Sequence, residues 1–362
     1  MKIIVIIALA FLTNQAQAEV KLSQLKLPDG FKVNYFAKDV KNARKLALSD
    51  SGIVYVGSRR AGNVYALLDE DKDGKADKRW LIAEGLEMPT GIAWKDGALY
   101  VAEVSRILKF ANIDKNLNKP KFEVFLAGLP EDQWHGWKFL RFSPSGELIF
   151  PVGAPCNVCE IKTERHARIF SVNMKTKALT VMAQGVRNSV GFDFHPDTGE
   201  LWFTDNGRDK MGDDIPSDEL NRVTKIGSHF GFPFFHAGNI KDPMFSKNKK
   251  QQDYVHPVLK TGAHVANLGI HFYQGNMFPK SYKKQLFIAE HGSWNRSKKS
   301  GYKIGLVSLE GTKILKYEPF MTGFMQKETT YGRPVAITEL KDGSLLVSDD
   351  YANAIYRISY SK

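Results

Sequence analysis

The sequence has 362 residues, of which 43% are hydrophobic and 25% charged, and its formal net charge is +12 at pH 7. A chain of this length can bury a large core without help from disulfides. The basic residues are scattered rather than clustered with exposed aromatic residues, which argues against a nucleic-acid-binding protein and favours a solvated basic surface.

The first 18 residues have the pattern of a secretory signal peptide. Lys2 supplies one positive charge, an apolar stretch runs to Leu12, and Ala16 and Ala18 form the small-residue pattern of a cleavage site. This stretch is shorter than the roughly 20 residues that a membrane-spanning helix needs, and no later stretch is long enough. We therefore expect a mature, periplasmic protein that begins near Glu19 and has no membrane span.

One pattern recurs six times along the rest of the chain. Each copy has a polar turn, usually with glycine, then an apolar or alternating run, and often a second run. The copies cover residues 51–57 with 62–67, 96–102 with 106–110, 145–150, 198–204, 284–289, and 342–348 with 354–358. Glycine allows the tight turn of a β-hairpin, and a period of two suits strands packed in layers. Six hairpins, mostly about 45 to 60 residues apart, predict one all-β domain over residues 19–362, a six-bladed β-propeller with four short strands per blade.

No helical pattern persists between these repeats, which argues against parallel-sheet domains. The widest interval, residues 201–286, contains extra material that we interpret as long loops. Long loops on a rigid scaffold are common places for function.

A run of carboxylates follows the first repeat. They occupy alternating positions: Asp69, Asp71, Asp73 and Asp77. With Gly74 they form a D-x-D-x-D-G pattern, which supplies the oxygen ligands that calcium prefers. Trp80 stands where such loops usually have a closing glutamate, so Asp77 would have to close a shorter loop. A structural calcium site and a simple acidic turn between strands both remain open.

Histidine is the side chain whose ordinary pKa best suits proton transfer near neutral pH. His135 lies between two tryptophans in the run WHGWK, where it is either catalytic or a buried structural residue. His264 and His291 lie in later loops. No H-E-x-x-H, G-x-S-x-G or glycine-rich phosphate motif occurs, so zinc peptidase, serine hydrolase and nucleotide-binding chemistry are unsupported.

Only two cysteines occur, Cys156 and Cys159, in the run C-N-V-C. No second ligand pair follows at a zinc-like spacing, and an exported chain meets an oxidising compartment. A local disulfide that shapes a loop is therefore favoured over a metal site or a redox-active thiol.

Polar residues gather next to the ends of the later repeats. In a propeller such positions converge on one face around the central channel. They are Arg187 and Asn188, residues 205–208, residues 291–296, Arg333, and Asp349 with Asp350. Arginine pairs with carboxylates through two parallel hydrogen bonds and Trp294 offers an aromatic face, so the ring suits a flat polyanionic ligand.

These motifs resemble those of the soluble pyrroloquinoline-quinone (PQQ)-dependent sugar dehydrogenases, in particular the sorbosone dehydrogenase-like branch. The resemblance extends from about Pro28 to the C-terminus. It rests on residues 134–137, 153–159, 185–192, 195–207, 290–296 and 332–334. It implies a six-bladed propeller with PQQ over the channel mouth, and an oxidoreductase that acts on a sugar or a related alcohol or aldehyde.

The resemblance also implies roles for single residues. His135 resembles the general base that takes the proton of the substrate hydroxyl while a hydride passes to PQQ. The backbone carbonyls of Gly207 and Arg208 resemble the ligands of a catalytic calcium ion, which acts as a Lewis acid. The residues matched to cofactor-binding segments are Arg187, Asn188, His264, His291, Trp294, Asn295, Arg333 and Asp349. A quinone or a cytochrome would accept the electrons.

Two residues depart from the glucose dehydrogenases of that family. Trp134 stands where they have an aspartate before the histidine, which argues against glucose as the substrate. Arg208 stands where their calcium turn has a proline, which keeps a carbonyl ligand but loses backbone rigidity. Two other classes remain open: a calcium-dependent propeller lactonase or other hydrolase, and a non-catalytic binding propeller.

Overall fold

The structure, a computed structural model, describes residues 20–361. The regular structure in this part of the chain is almost entirely β-strand. Its helical segments are single 3-10 turns at Leu22–Gln24, Ile113–Lys115, Gln251–Asp253 and Lys280–Tyr282. Among the described residues, no helix has the length and apolar character needed to cross a membrane. The predicted signal peptide lies outside the described residues.

The first half of the chain forms three blades, each an antiparallel sheet that the chain builds from the inside outwards. The first strand, β1 (Phe31–Ala37), is an exception because it belongs to the last blade. Blade 1 consists of β2 (Ala43–Leu48), β3 (Val54–Ser58), β4 (Val64–Leu68) and β5 (Lys78–Ala83). Blade 2 consists of β6 (Gly91–Lys95), β7 (Ala98–Ala102), β8 (Ile107–Phe110) and β9 (Glu123–Leu126). Blade 3 consists of β10 (Arg141–Phe142), β11 (Leu148–Val152), β12 (Arg168–Val172) and β13 (Leu179–Gln184).

The second half forms three more blades and two short hairpins. Blade 4 contains β14 (Phe192–Phe194), β15 (Leu201–Asp205), β16 (Ser217–Arg222) and, after an insertion, β20 (Leu259–Ala263). The insertion contains β17 (Ser228–His229), β18 (Phe235–His236) and β19 (Ile240–Lys241). Blade 5 consists of β21 (Asn267–Phe272), β22 (Leu286–Glu290), β23 (Lys303–Glu310) and β24 (Lys313–Met321). A hairpin of β25 (Met325–Gln326) and β26 (Thr329–Thr330) precedes blade 6, which contains β27 (Pro334–Glu339), β28 (Leu345–Asp349) and β29 (Ala354–Tyr360).

The ring closes through the two ends of the described chain. Strand β1 pairs with β29 as the outermost strand of blade 6, with Phe31 opposite Tyr360. Blade 1 then packs against blade 6, and Arg44 forms an ion pair with Asp350 across this seam at 2.6 Å. The closed ring of six sheets confirms the predicted six-bladed propeller.

The six sequence repeats correspond to the second strands of the six blades. The runs read as β3, β7, β11, β15, β22 and β28 are completely buried in the structure. Apolar side chains of neighbouring blades pack face to face, as Leu46 and Val56 of blade 1 do with Leu346 and Ile355 of blade 6. These strands are nearly continuously apolar rather than alternating, because a propeller buries both faces of its sheets between blades.

The wide interval between the fourth and fifth repeats contains the insertion between β16 and β20. Its β17 runs parallel to β13 and extends blade 3, with Ser228 opposite Ala183. Its β18–β19 hairpin pairs His236 with Ile240. The extra material that the gap in the repeats predicts is therefore present, and it contains three short strands rather than loops alone.

The innermost strands are β2, β6, β10, β14, β21 and β27, and they surround the channel. They begin at one face of the ring and end at the other. A small apolar cluster of Val190, Leu268, Val335 and Ala336 lies where β14, β21 and β27 begin. The polar residues next to the repeats therefore face one mouth of the channel.

Candidate active site

A cavity of about 620 Å³ opens at the face where the innermost strands begin. Loops or strands of all six blades contribute to its wall. The predicted site residues on this wall are His135, Arg187, Asn188, Gly207, His264, His291, Trp294 and Arg333. The structure thus brings most of the candidate residues together.

Three candidate residues lie beside this wall rather than on it. The Arg208 side chain points into the protein, and Asn295 is half-buried next to the mouth. Asp349 is completely buried, and its Oδ1 accepts a hydrogen bond from the backbone nitrogen of Arg333 at 2.9 Å. In this structure Asp349 therefore contacts the backbone of a cavity residue from behind.

The four carboxylates of the predicted calcium loop lie between β4 and β5, on the outer part of blade 1 and away from the cavity. Oxygen atoms of Asp69, Asp71 and Asp77 lie within 4.8 Å of one another. Asp73 is outside this group, and its Oδ1 accepts a hydrogen bond from the Lys75 nitrogen at 2.8 Å. Calcium binding by this loop stays a prediction.

His135 is buried in the cavity wall with its ring held in one orientation. Its Nδ1 lies 2.9 Å from the carbonyl oxygen of Ala154, so Nδ1 carries the proton and Nε2 carries the lone pair. Burial, and then the positive charges of Arg187 and Arg59, lower the pKa of His135 well below 6.5. The imidazole is therefore neutral at neutral pH and is able to accept a proton at Nε2.

The segment 153–154 connects His135 to the next blade. Besides accepting from His135, Ala154 donates its backbone N–H to the carbonyl of Arg187 at 2.8 Å. A Cβ on Gly153 would come within 2.5 Å of the His135 Cβ, so only glycine fits between these residues. The position of the histidine is therefore fixed by close backbone packing.

Arg187 is buried and makes hydrogen bonds from each of its guanidinium nitrogens. Nε donates to the carbonyl of Asn157 at 2.8 Å, and Nη2 donates to Asn157 Oδ1 at 2.9 Å. Nη2 also lies 3.2 Å from Asp209, and Nη1 donates to the Asn206 carbonyl at 3.1 Å. Asn157 belongs to the loop that Cys156 and Cys159 close as a disulfide, which confirms the predicted pairing.

The turn after β15 is anchored residue by residue. Gly207 donates its N–H to Asp218 Oδ1 at 2.7 Å, and the Asp209 nitrogen donates to Asn157 Oδ1 at 2.8 Å. Between them, Arg208 Nη1 lies 2.5 Å from Asp242 Oδ2, a completely buried carboxylate of the insertion. Three separate segments thus anchor the turn. Their contacts substitute for the rigidity of the proline that the resemblance would lead us to expect.

A group of buried carboxylates lies behind the turn. Asp205 and Glu219 are opposite each other in β15 and β16, and Asp218 lines the cavity. Burial raises the pKa of Asp218 to about 6. Burial also raises the pKa of Glu219, which the neighbouring Asp205 raises further. These carboxyl groups therefore lie close together next to Gly207, in surroundings that disfavour their charged forms.

The opposite wall of the cavity is cationic. Arg59 stacks on Trp137, with 3.6 Å between its guanidinium carbon and the ring centre, and its Nε has no hydrogen-bond partner among the described residues. Burial, then Arg44 and Arg60, lower the pKa of Arg59 to about 10. In residues 20–361, neither Arg59, Arg60 nor Arg333 forms an ion pair with a carboxylate.

Two tryptophans lie at the mouth of the cavity with most of their surface free. Trp134 is 54% exposed and Trp294 is 70% exposed. Such large exposed aromatic faces are unusual on a soluble protein unless they contact a ligand or a partner. They mark the entrance to the cavity.

Sequence reasoning missed several residues that shape the site. Among them are Arg59, Asn157, Asp218 and Asp242. Asn157 was within reach because it lies inside the C-N-V-C run that the resemblance includes. Arg59 directly follows the strand of the first repeat, the position that holds polar site residues in the later repeats, so the same pattern could have found it. Asp242 had no local signal, since it acts on the site through Arg208, 34 residues away.

The comparisons with known proteins agree with this architecture. Residues 17–357 match the family described as a domain of unknown function, DUF7133. The chain belongs to the DUF7133 family. A protein of Borreliella burgdorferi, described as uncharacterized, is 40% identical to this DUF7133 member over 362 residues, which cover 95% of this chain and 93% of the relative.

Solved structures share the fold of the DUF7133 chain. A Trichoderma reesei carbohydrate-active enzyme of family AA12, in a calcium structure, superposes with a TM-score of 0.83 at 18% identity and covers 96% of this chain and 100% of its own. The holo form of the PQQ domain of pyranose dehydrogenase from Coprinopsis cinerea gives 0.80 at 16% identity, covering 95% and 98%. The PQQ-bound aldose sugar dehydrogenase of Streptomyces coelicolor gives 0.66 at 17% identity, covering 93% and 100%. The fold is therefore that of the soluble PQQ-dependent sugar dehydrogenases.

Proposed function

We propose that this chain is a quinoprotein oxidoreductase that oxidises a sugar or a related alcohol or aldehyde, with PQQ and calcium bound in the cavity and His135 as the general base. The observation that carries the proposal is a neutral, oriented histidine in one cavity with exposed tryptophans and with arginines that form no ion pair among the described residues. The shared fold supports it, since solved proteins described as binding PQQ have the same architecture.

The cavity residues fit a planar polyanion such as PQQ. Arg59, Arg60 and Arg333 line the cavity without a carboxylate partner among the described residues, and the buried Nε of Arg59 is unsatisfied. Arginine recognises carboxylates through paired N–H donors, and tryptophan faces stack on flat rings. A cavity of about 620 Å³ is within the range of organic cofactor sites. Arg187 and Asn188 would hold the polar edge of the cofactor.

The turn at Gly207 fits a calcium ion. Calcium prefers hard oxygen ligands such as backbone carbonyls and carboxylates. Gly207 lines the cavity, Asp218 is adjacent to it, and a divalent cation would favour the charged forms of the buried carboxyl groups behind the turn. The carbonyls of Gly207 and Arg208 are the ligands that we propose.

When bound, PQQ supplies a two-electron acceptor and calcium supplies a Lewis acid. The protein's own contribution is the removal of a proton. Because the Nδ1–H of His135 is engaged by Ala154, Nε2 is free to take the proton of a substrate hydroxyl. Arg187 and Arg59 disfavour the protonated imidazole, so the base stays ready at neutral pH.

We further propose a periplasmic location and a quinone or cytochrome as the electron acceptor. The signal-peptide pattern of residues 1–18 supports the first, and the basic surface suits an acidic redox partner. Trp134 lies next to the base, where the glucose dehydrogenases have an aspartate. It offers the substrate an apolar face in place of an acidic side chain that could contact a sugar hydroxyl. We therefore expect a preference for substrates other than glucose.

A hydrolase is the main competing function, and it would place a carboxylate directly on a channel metal. Asp218 lines the cavity, but both of its oxygens accept backbone hydrogen bonds, from Gly207 at 2.7 Å and Ala266 at 2.7 Å. This arrangement favours a supporting carboxylate over a metal ligand.

The deciding experiment is a titration of the purified apo-protein with PQQ in the presence of calcium. We expect saturable binding in the micromolar range, a quinone absorbance on the protein, and reduction of an artificial dye with aldoses or sugar aldehydes. The Arg59→Met variant should bind PQQ more weakly. Absence of binding at micromolar PQQ with calcium would overturn the proposal, and turnover of lactones without PQQ would favour the hydrolase.

A further inference from the structure

A second cavity, of about 310 Å³, lies at the opposite end of the channel, where the innermost strands end. Its wall includes Lys45 of β2, Arg141 of β10, His271 of β21 and Glu339 of β27. None of these residues lines the candidate active site. The cavity therefore needs an explanation that does not depend on the proposed function.

Lys45 is the unusual residue in this cavity. Its side chain is 6% exposed, yet it makes no hydrogen bond or ion pair with any residue in the range 20–361. Its Nζ lies over the face of Phe139, 4.7 Å from the ring centre. A buried ammonium without a partner is strongly destabilising unless solvent or a ligand compensates it.

The carboxylates on and beside the wall of this cavity, Glu339 and Asp193, are already engaged by other donors. Asp193 Oδ1 lies 2.6 Å from Arg141 Nη2, and its Oδ2 lies 3.2 Å from His271 Nδ1 and accepts from the Phe272 nitrogen at 2.9 Å. Glu339 Oε2 lies 3.2 Å from His271 Nε2. Asp193 and Glu339 are therefore paired with Arg141 and His271, and neither carboxylate forms an ion pair with Lys45.

A second cation adds to this imbalance. Arg141 is one of the two charged groups that act on Lys45, and its repulsion outweighs the attraction of Asp193. Arg141 Nη2 forms the ion pair with Asp193, and the Arg141 side chain is one-quarter exposed and lines the cavity. A guanidinium carries five N–H donors, more than one carboxylate can engage, so Arg141 can also donate to a ligand in the cavity.

We propose that this cavity is a binding site for a small oxyanion, held between Lys45 and Arg141. Phosphate is the representative ligand, since it offers several acceptor oxygens to an ammonium and a guanidinium at once. The anion would connect blade 1 with blade 3 at the end of the channel opposite the active site.

Binding of an anion should be coupled to uptake of a proton. Burial, followed by the charge of Arg141, lowers the pKa of Lys45 to about 7, while Asp193 acts in the opposite direction. His271 and Glu339 are the other titratable groups on this wall. An anion favours the charged ammonium, so the affinity for sulfate, whose charge is constant in this range, should fall as pH rises above about 7.

The test combines calorimetry with crystallography. Phosphate is titrated into the wild type, into Lys45→Met, and into Lys341→Met, which removes an exposed lysine after β27, at the same end of the ring. Sulfate and acetate arms distinguish an inorganic oxyanion site from a carboxylate site. We expect a binding event that Lys45→Met weakens about tenfold or more and Lys341→Met leaves unchanged.

The arginines of the active-site cavity could bind phosphate as well, so the location needs its own measurement. Crystals soaked in selenate should show an anomalous peak next to Lys45 Nζ in the wild type. The Arg59→Met variant should keep this event, because Arg59 belongs to the other cavity. No peak at Lys45, or equal phosphate affinities of the wild type and Lys45→Met, would overturn the proposal even if PQQ binding is observed.

Discussion

Asn157 holds Arg187 from two sides, since its backbone carbonyl accepts from Nε at 2.8 Å and its Oδ1 accepts from Nη2 at 2.9 Å. The same Oδ1 accepts from the backbone nitrogen of Asp209 at 2.8 Å. One short loop, closed by the Cys156–Cys159 disulfide, therefore orients both the arginine proposed to hold PQQ and the turn proposed to hold calcium.

Asn157→Ala should lower PQQ affinity about tenfold, because it removes the hydrogen bonds that Asn157 Oδ1 accepts from Arg187 Nη2 and from the Asp209 nitrogen, and so loosens both Arg187 and the turn. The measurement is the PQQ titration at saturating calcium, with melting temperature as a check on folding. Asn116→Ala, at an exposed site in blade 2, is the control. Equal PQQ affinities of Asn157→Ala and the wild type would contradict the assignment.

His135→Gln should abolish dye reduction while PQQ binding stays within a few-fold of the wild type. In the wild type, the lowered pKa of His135 keeps Nε2 unprotonated throughout the neutral range. We therefore expect kcat/KM to stay level as pH falls from 8 towards 6.5 and to decline only at lower pH. An inflection at the ordinary histidine pKa, or turnover by the variant, would show that another group is the base.

Arg208→Met should raise the calcium concentration needed for half-maximal PQQ reconstitution about tenfold. The substitution breaks the ion pair with Asp242, which anchors the middle of the turn. Asp242 keeps His236 and backbone donors such as Met244, so the insertion should stay folded. Arg222→Met, which breaks a more exposed ion pair in the same blade, is the matched control and should leave the calcium requirement unchanged.

Glu219→Gln should stabilise the apo-protein at pH 8.5 more than at pH 5. Burial and Asp205 raise the pKa of Glu219 in the folded state, so its stabilising contribution is lost as pH rises through that pKa. Asn221 donates to Glu219 at 2.9 Å, and its Oδ1 has no partner among the described residues, so a flipped amide can accept from the new glutamine.

The melting temperature of Glu219→Gln at both pH values measures this effect, on the order of 2 °C for each kcal/mol. Glu310→Gln, at an exposed position of β23, is the control. A stabilisation that is equal at pH 5 and pH 8.5 would mean that Glu219 is not the group whose charge is disfavoured.

Asp71→Asn should reduce the thermal stabilisation that calcium gives to the PQQ-free protein. The variant keeps an oxygen that can accept from the Asp73 nitrogen, now at 3.1 Å, so the loop should retain its shape while losing one charged ligand. Thermal melts with and without calcium, compared with the exposed control Glu84→Gln, measure the effect. An identical calcium response of Asp71→Asn and the wild type would favour the simple acidic turn.

The fold could be predicted because its information is local and repeated. The second strand of each blade is completely buried, and the sequence pattern of this strand and its turn recurs six times along the chain. The candidate site could be predicted in part for the same reason, since Arg187 and Arg333 occupy equivalent positions before the innermost strands of their blades.

The remaining features depend on contacts that no local pattern encodes. Asn157 and Asp209 are 52 residues apart, and Arg208 and Asp242 are 34 residues apart and lie in different loops. Lys45 lies in the run ARKLAL, which predicts a strand but not a buried ammonium in the channel. Such residues acquire their surroundings only when the ring closes.

Arg44 and Asp350 are separated by 306 residues in the sequence, and their ion pair joins the two blades that meet last. Asp350 also accepts from His291 of the cavity wall at 2.8 Å. A nascent chain can therefore build its early blades long before this part of the wall exists. Proteolytic removal of β29 would release both β1 and the seam, so a clipped chain would lose ligand binding while retaining much of its secondary structure. Cleavage near the end of the described chain would in this way disrupt the wall of the central cavity.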